Sequence, residues 1–243
     1  MSAGSGAATA HQGEAHGGSI GGRLNWLRAG VLGANDGIVS VAGTVIGVAG
    51  ATTSTTAIAT AGLAAIVAGA FSMAGGEYVS VSTQRDTEKA LIAKERWELD
   101  TMPAEELEEL TDIYQRRGLS RSVAEQVAKE LTEHDALRAH ADAELGIDPD
   151  DYTNPWAAAA SSFLAFTVGA LIPFVIILLP LGDAARVWAT IAGVAFALLL
   201  TGAVSARLGD APRLRAILRN VGMGLITMAV TYGVGSAFGT LTA

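Results

Sequence analysis

The chain has 243 residues, half of them apolar, with 29 glycines, no cysteine and a formal net charge of −8. The acidic balance excludes a nucleic-acid binder, which needs basic patches, and the missing cysteines exclude disulfides, thiolate metal sites and cysteine nucleophiles. Charge is also segregated: 83–154 carries 19 Asp and Glu against 9 Lys and Arg, while the remainder carries 5 against 7, so two hydrophobic blocks flank one acidic insert.

In chain order, residues 1–22 are rich in Gly, Ala and Ser, lack the apolar stretch of a signal peptide, and are expected to form a disordered tail. A transmembrane block over 23–81 holds two segments, roughly 27–51 and 56–80, long enough for the ~20 residues a spanning helix needs. Asp36 interrupts the first, about nine residues and ~14 Å from its inner end at 1.5 Å per residue. A carboxylate at that depth costs at least ~2.5–3.5 kcal/mol and normally faces a pathway or a partner. No span offers a basic residue at similar depth, which points to a pathway.

In the second span Met73 is either core filler or, if it faces Asp36, a polarizable thioether ligand. Glu77, one turn further, is either the entrance to that pathway or a snorkelling interfacial residue, and Tyr78 is an interface anchor.

The insert, 82–154, is expected to be three helices. The first continues the second span without a break to Asp100, since no Gly or Pro interrupts Val81–Asp100. The second has Pro103 in its first turn and stops at Gly118. The third runs over 120–145, with Ser120 as N-cap and Gly146 as terminator. Glu95/Glu98 and Glu106/Glu109 form two i, i+3 pairs, each on one helix face, with Pro103 between them to let the chain turn. Four converging hard oxygen donors suit a divalent cation; solvated helix faces are the plain alternative.

The second transmembrane block, 155–243, holds spans at roughly 156–180, 184–206 and 216–241, with Pro173 and Pro180 in the first of them. Arg23, Arg28, Arg207, Arg213, Arg215 and Arg219 gather on one side and only Arg186 on the other, which places the N-terminus and the insert in the cytoplasm. Gly33/Gly37, Gly43/Gly47 and Gly235/Gly239 are GxxxG pairs, expected to serve close helix packing and a subunit contact. The fold class is thus an all-α membrane protein of five transmembrane helices with a three-helix cytoplasmic insert between spans two and three.

The runs Gly33-Ala34-Asn35-Asp36-Gly37-Ile38-Val39-Ser40, Met73-Ala74-Gly75-Gly76-Glu77-Tyr78-Val79-Ser80-Val81-Ser82, Gln84-Arg85-Asp86-Thr87-Glu88 and Gly169-Ala170-Leu171-Ile172-Pro173 resemble the vacuolar iron transporter family, over about 23–243. The resemblance implies a homodimer with its path between subunits, a cytoplasmic metal-binding domain, and export of Fe2+ or Mn2+ from the cytosol in exchange for protons. It implies no permanent cofactor and no enzymatic reaction. It puts the pathway on Asp36 and Met73 and the metal-binding glutamates on Glu95, Glu98, Glu106, Glu109 and Glu144.

Where plant members carry a methionine pair before the last glutamate, this chain has His140 and Ala141, so an imidazole replaces a thioether or the site is oxygen-only. A bacterial-type member is expected in the plasma membrane. The alternative is a membrane-anchored di-iron enzyme or an iron-storage or sensing module. Di-iron bundles use Glu-x-x-His pairs, and Leu131 and Leu137 occupy the Glu places before His134 and His140.

Overall fold

The structure, a computed structural model, describes residues 20–209 and 212–242, with side chains described over 29–209 and 212–241. Except for its last three residues, which open the first helix, the tail expected over 1–22 lies outside the described residues. Among the described residues seven α-helices follow in order: α1 (Ile20–Ala51), α2 (Thr55–Thr101), α3 (Pro103–Arg116), α4 (Arg121–His140), α5 (Pro155–Ile177), α6 (Asp183–Leu208) and α7 (Arg213–Thr242). A single π-helical turn, Ala141–Leu145, extends α4. Five helices are long and apolar enough to cross a membrane: α1 from Ala29, α2, α5, α6 and α7 to Leu241. This is the integral membrane architecture expected.

Helix α1 is the centre of the bundle, with 44% of its apolar window buried against 11% for α7. It packs on α2, α5, α6 and α7, and its Ile38, Val41, Val45 and Ile46 form the core with Ile58, Ile66, Phe166, Ile177, Val194 and Leu198. Close approach is bought with missing side chains. A Cβ on Gly37 would lie 2.2 Å from the Phe166 carbonyl oxygen of α5, and one on Gly235 only 1.8 Å from the Gly47 carbonyl oxygen.

The close helix packing expected of the glycine pairs is present. Gly33 and Gly37 meet α5, Gly43 and Gly47 meet α7, and Gly235 and Gly239 meet α1, so all three GxxxG pairs serve contacts within the chain. Spacing alone shows that a helix face is smooth; it does not show which helix fills it.

At the end of the bundle away from the insert, buried Arg186 closes the short connections. It donates to Thr55 Oγ1 at 3.1 Å and the Thr53 carbonyl at 3.0 Å, and pairs with Asp183 at 3.0 Å.

At the other end α2 runs on as one 47-residue helix, so its charged half from about residue 82 projects beyond the bilayer. Helices α3 and α4 pack beside this projection through Leu110, Ile113, Ala128 and Ala143. Arg117 reinforces the contact by donating to the Ala143 carbonyl at 2.6 Å. Pro103 opens α3 as expected, and Gly118 (φ 105°) and Gly146 (φ 64°) supply the left-handed turns that end the insert's second and third helices.

The third helix departs from expectation. Ser120 sits at its N-cap without a capping hydrogen bond, and the helix breaks at Asp135 (φ −162°, ψ 94°). The Asp135 carboxylate accepts from the Arg138 N–H at 3.0 Å and so caps a new final turn. That break redirects the chain end carrying His140 and Glu144.

Candidate metal centre

Helix geometry separates the sequence-predicted residues into two groups. Asp36 lies 15 residues before the end of α1 and Met73 lies 18 residues into α2. At 1.5 Å per residue both sit ~22–27 Å from the turn joining those helices, close to one level of the bundle. Both are half-buried. Met73 packs against the α1-centred core, and among the described side chains no ion pair reaches Asp36. Ser40 donates its hydroxyl to the Asp36 carbonyl, and Asn35 Oδ1 beside it is buried without a partner. Glu77 follows one turn beyond Met73, and Tyr78 packs at a tilt against Trp156 at the foot of α5, with ring centroids 4.6 Å apart.

The second group is gathered on the projecting part of α2, some 27 Å beyond Glu77. Glu95 is 3% exposed, Glu106 5% and His140 0%. His140 Nδ1 lies 3.0 Å from Glu95 Oε1 and 3.5 Å from Glu106 Oε2. One ligand atom each from Glu95, His140 and Glu144 falls within 4.8 Å of the others. Spacings near 3 Å match the edge of a coordination shell with ligands at ~2.1 Å. His140 Nδ1 and Glu95 Oε1 are buried and face each other without a well-aligned hydrogen bond, an arrangement a cation between them would satisfy.

The electrostatics match that geometry. Burial, followed by the charges of Glu144, Glu106 and Glu98, raises the Glu95 carboxyl to about 7. Glu106 is raised by burial and by Glu109, Glu98 and Glu144, and Glu144 by burial and then Glu109. Burial lowers His140, keeping its imidazole neutral with a lone pair available. A divalent cation would draw the three raised carboxyls back down and would meet the imidazole already in its neutral, ligating form.

Glu109 is exposed at the rim, and Glu98 is half-buried and held by Lys94 Nζ at 2.6 Å. Lys94 was not singled out from the sequence. Its signal was present, because Lys94 and Glu98 are spaced i, i+4.

The chain is thus a five-span helical membrane protein whose insert gathers carboxylates and an imidazole, a donor set that suits a divalent cation. The sequence profile of the VIT family matches residues 27–236, and the chain belongs to that family. It is 45% identical over 240 residues to a vacuolar iron transporter of Acanthamoeba castellanii, covering 94% of this chain and 84% of the relative. It is 33% identical over 218 residues to vacuolar iron transporter homolog 1 of Arabidopsis thaliana (90% and 86% covered), and 35% identical over 217 residues to vacuolar iron transporter homolog 1 of Oryza sativa subsp. japonica (89% and 75%). The protein is therefore a membrane transporter and not an enzyme, which sets the di-iron enzyme reading aside.

Proposed function

We propose that the protein exports Fe2+ or Mn2+ from the cytosol in exchange for protons. The observation that carries this reading is α2 itself: one unbroken helix bears Met73 and Glu77 within the bundle and Glu95 and Glu98 in the cluster outside it. The insert lies in the cytoplasm, where Glu95, Glu106, His140 and Glu144 collect the ion, with Glu98 and Glu109 as outer carboxylates. Replacing the family's thioethers by His140 gives an oxygen and nitrogen donor set, which suits Mn2+ as well as Fe2+.

Glu77 receives the ion at the membrane, and Asp36 with Met73 holds it within the bundle. Asp36 takes a proton when the metal leaves, so metal and proton compete for one carboxylate and their fluxes are coupled. Because the GxxxG pairs are spent within the chain, support for a homodimer rests on family membership alone. The expected home is a bacterial plasma membrane, although the relatives named above come from an amoeba and plants; imaging a tagged chain in its host assigns the membrane.

The test is flux in proteoliposomes containing only this protein. An imposed pH gradient should drive Mn2+ and anaerobic Fe2+ uptake, and metal movement should carry protons the other way. Metal flux indifferent to the pH gradient would remove the coupling; no flux at all would remove the export reading.

A further inference from the structure

The run Gln84–Glu88 on α2 belongs neither to the cluster nor to the membrane path, yet it makes a second connection between them, through the link that precedes α5. Glu88 Oε2 accepts two hydrogen bonds from Thr153, from its backbone N–H and its hydroxyl, both at 3.1 Å. Gln84 Nε2 donates to Glu88 Oε1 at 2.9 Å and holds the carboxylate in place. Thr153 stands 65 residues away in sequence, two positions before Pro155 opens α5. Elsewhere the link from 146 to 154 is separated from α2 by a cleft of about 580 Å³, walled by Gln84, Glu88, His134, Arg138, Asp148 and Thr153 among others. Among the described residues, Glu88 alone hydrogen-bonds across from α2 to the link.

The link is pinned at both ends. Arg138, two residues before His140, pairs with Asp150 and reaches Asp148 at 3.6 Å. At the far end Asn154 Oδ1 accepts from the Trp156 and Ala157 N–H groups at 3.1 and 3.2 Å, capping α5 directly after Thr153. Helix α5 in turn lies against Gly33 and Gly37, the residues flanking Asp36. A continuous run of contacts thus leads from His140 through Arg138, the link and the Glu88–Thr153 clamp to the helix that carries Asp36.

We propose that Glu88 is a positioning residue for transport: by holding Thr153 it ties the link to α2 just beyond the Tyr78–Trp156 contact at the foot of α5, so that closure of Glu95, His140 and Glu144 around an ion is passed through the link to the bundle around Asp36. Without the clamp the cluster still binds metal, but its closure is absorbed in the slack of the link. This inference rests on the transport reading above, while one of its two readouts does not require transport.

The experiment uses the full-length protein and Mn2+. Losing both Thr153 hydrogen bonds, together with the one from Gln84, in Glu88→Ala should lower maximal flux about fivefold or more. The half-saturating Mn2+ concentration and the equilibrium Mn2+ affinity should stay within about twofold, because no ligand is lost. Glu88→Gln keeps an acceptor oxygen for Thr153 and should restore most of the flux, and Thr153→Val, which keeps the backbone donor, should fall between.

Hydrogen exchange supplies the readout that needs no flux. Mn2+ should slow exchange over both 140–145 and 153–156 in the wild type, but only over 140–145 in Glu88→Ala. Wild-type flux in Glu88→Ala, a loss of Mn2+ affinity that tracks the loss of flux, or unchanged Mn2+ protection at 153–156 in Glu88→Ala and Thr153→Val would each overturn the proposal. A wild type that moves no Mn2+ would sink the transport reading, and the exchange data would still decide whether the clamp couples the two regions.

Discussion

The membrane bundle and the insert both bury carboxylates, and they manage the cost in opposite ways. In the bundle the acids stand apart: Asp36 is half-buried on α1 with no ion pair among the described side chains, and Glu77 lies on another helix, α2. In the insert the acids are crowded: Glu95 and Glu106 are buried side by side, with Glu98, Glu109 and Glu144 near enough to push their protons on. An acid without acidic neighbours binds one charge at a time and must release it. A crowded set gains from any dication and holds it. The contrast fits passage in the bundle and collection in the insert.

The largest expected effect separates these two jobs. Asp36→Asn keeps the size but removes the charge and the exchangeable proton, and should abolish pH-gradient-driven Mn2+ flux while the insert's metal binding stays as it was. Flux at the wild-type level would break the comparison, leaving the bundle's carboxylate without a task.

The reciprocal change comes next. Glu95→Ala or His140→Ala should weaken Mn2+ binding measured by calorimetry on the full-length protein about tenfold or more, ~1.4 kcal/mol, and Glu109→Ala, at the exposed rim, distinctly less. Equal losses at all three positions would mean that burial does not rank the ligands.

A pH series sharpens the electrostatic half. A carboxyl whose folded pKa lies above its unfolded value is more protonated folded than unfolded between the two. The metal-free insert therefore loses stability as pH rises from 4.5, the ordinary value, to the folded value of about 7 for Glu95. Metal must displace that proton, so Mn2+ affinity should fall as pH drops below about 7, approaching tenfold per unit for one displaced proton. The thermal stabilisation by Mn2+ should be larger at pH 7.5 than at pH 5.5. A pH-independent affinity would show that Glu95 is ionised before the metal arrives.

The smallest effects concern packing. Gly235→Ala sets a methyl group 1.8 Å from the Gly47 carbonyl and must spread α1 and α7, costing about 1–3 kcal/mol. Gly75→Ala meets nothing within 4 Å and should leave the melting temperature in detergent unchanged or slightly raised. A drop for Gly75→Ala would show that a surface open in the single chain is covered in the assembly.

Several features could be read from the chain alone because their causes are local. Five apolar segments appear as five helices because a bilayer demands that length and that composition. The continuity of α2 followed from the absence of any breaker between Val81 and Asp100, and Pro103, Gly118 and Gly146 mark ends because φ is restricted in one and free in the others.

What depended on partners distant in sequence was not legible. The glycine pairs show smooth faces, but α1 meeting α5 and α7 is a property of the assembled bundle. The four glutamates look alike in sequence, and only packing of α3 and α4 against α2 buries Glu95 and Glu106 while leaving Glu109 at the rim. His140 depends most on tertiary structure. Its approach to Glu95 follows a break at Asp135, a residue type that favours caps over helix interiors, where the carboxylate caps the Arg138 N–H and Arg138 reaches Asp148 and Asp150. Residue type supplied the donors, and long-range packing decided which of them share one buried centre, because burial is a property of neighbours that the local sequence does not contain.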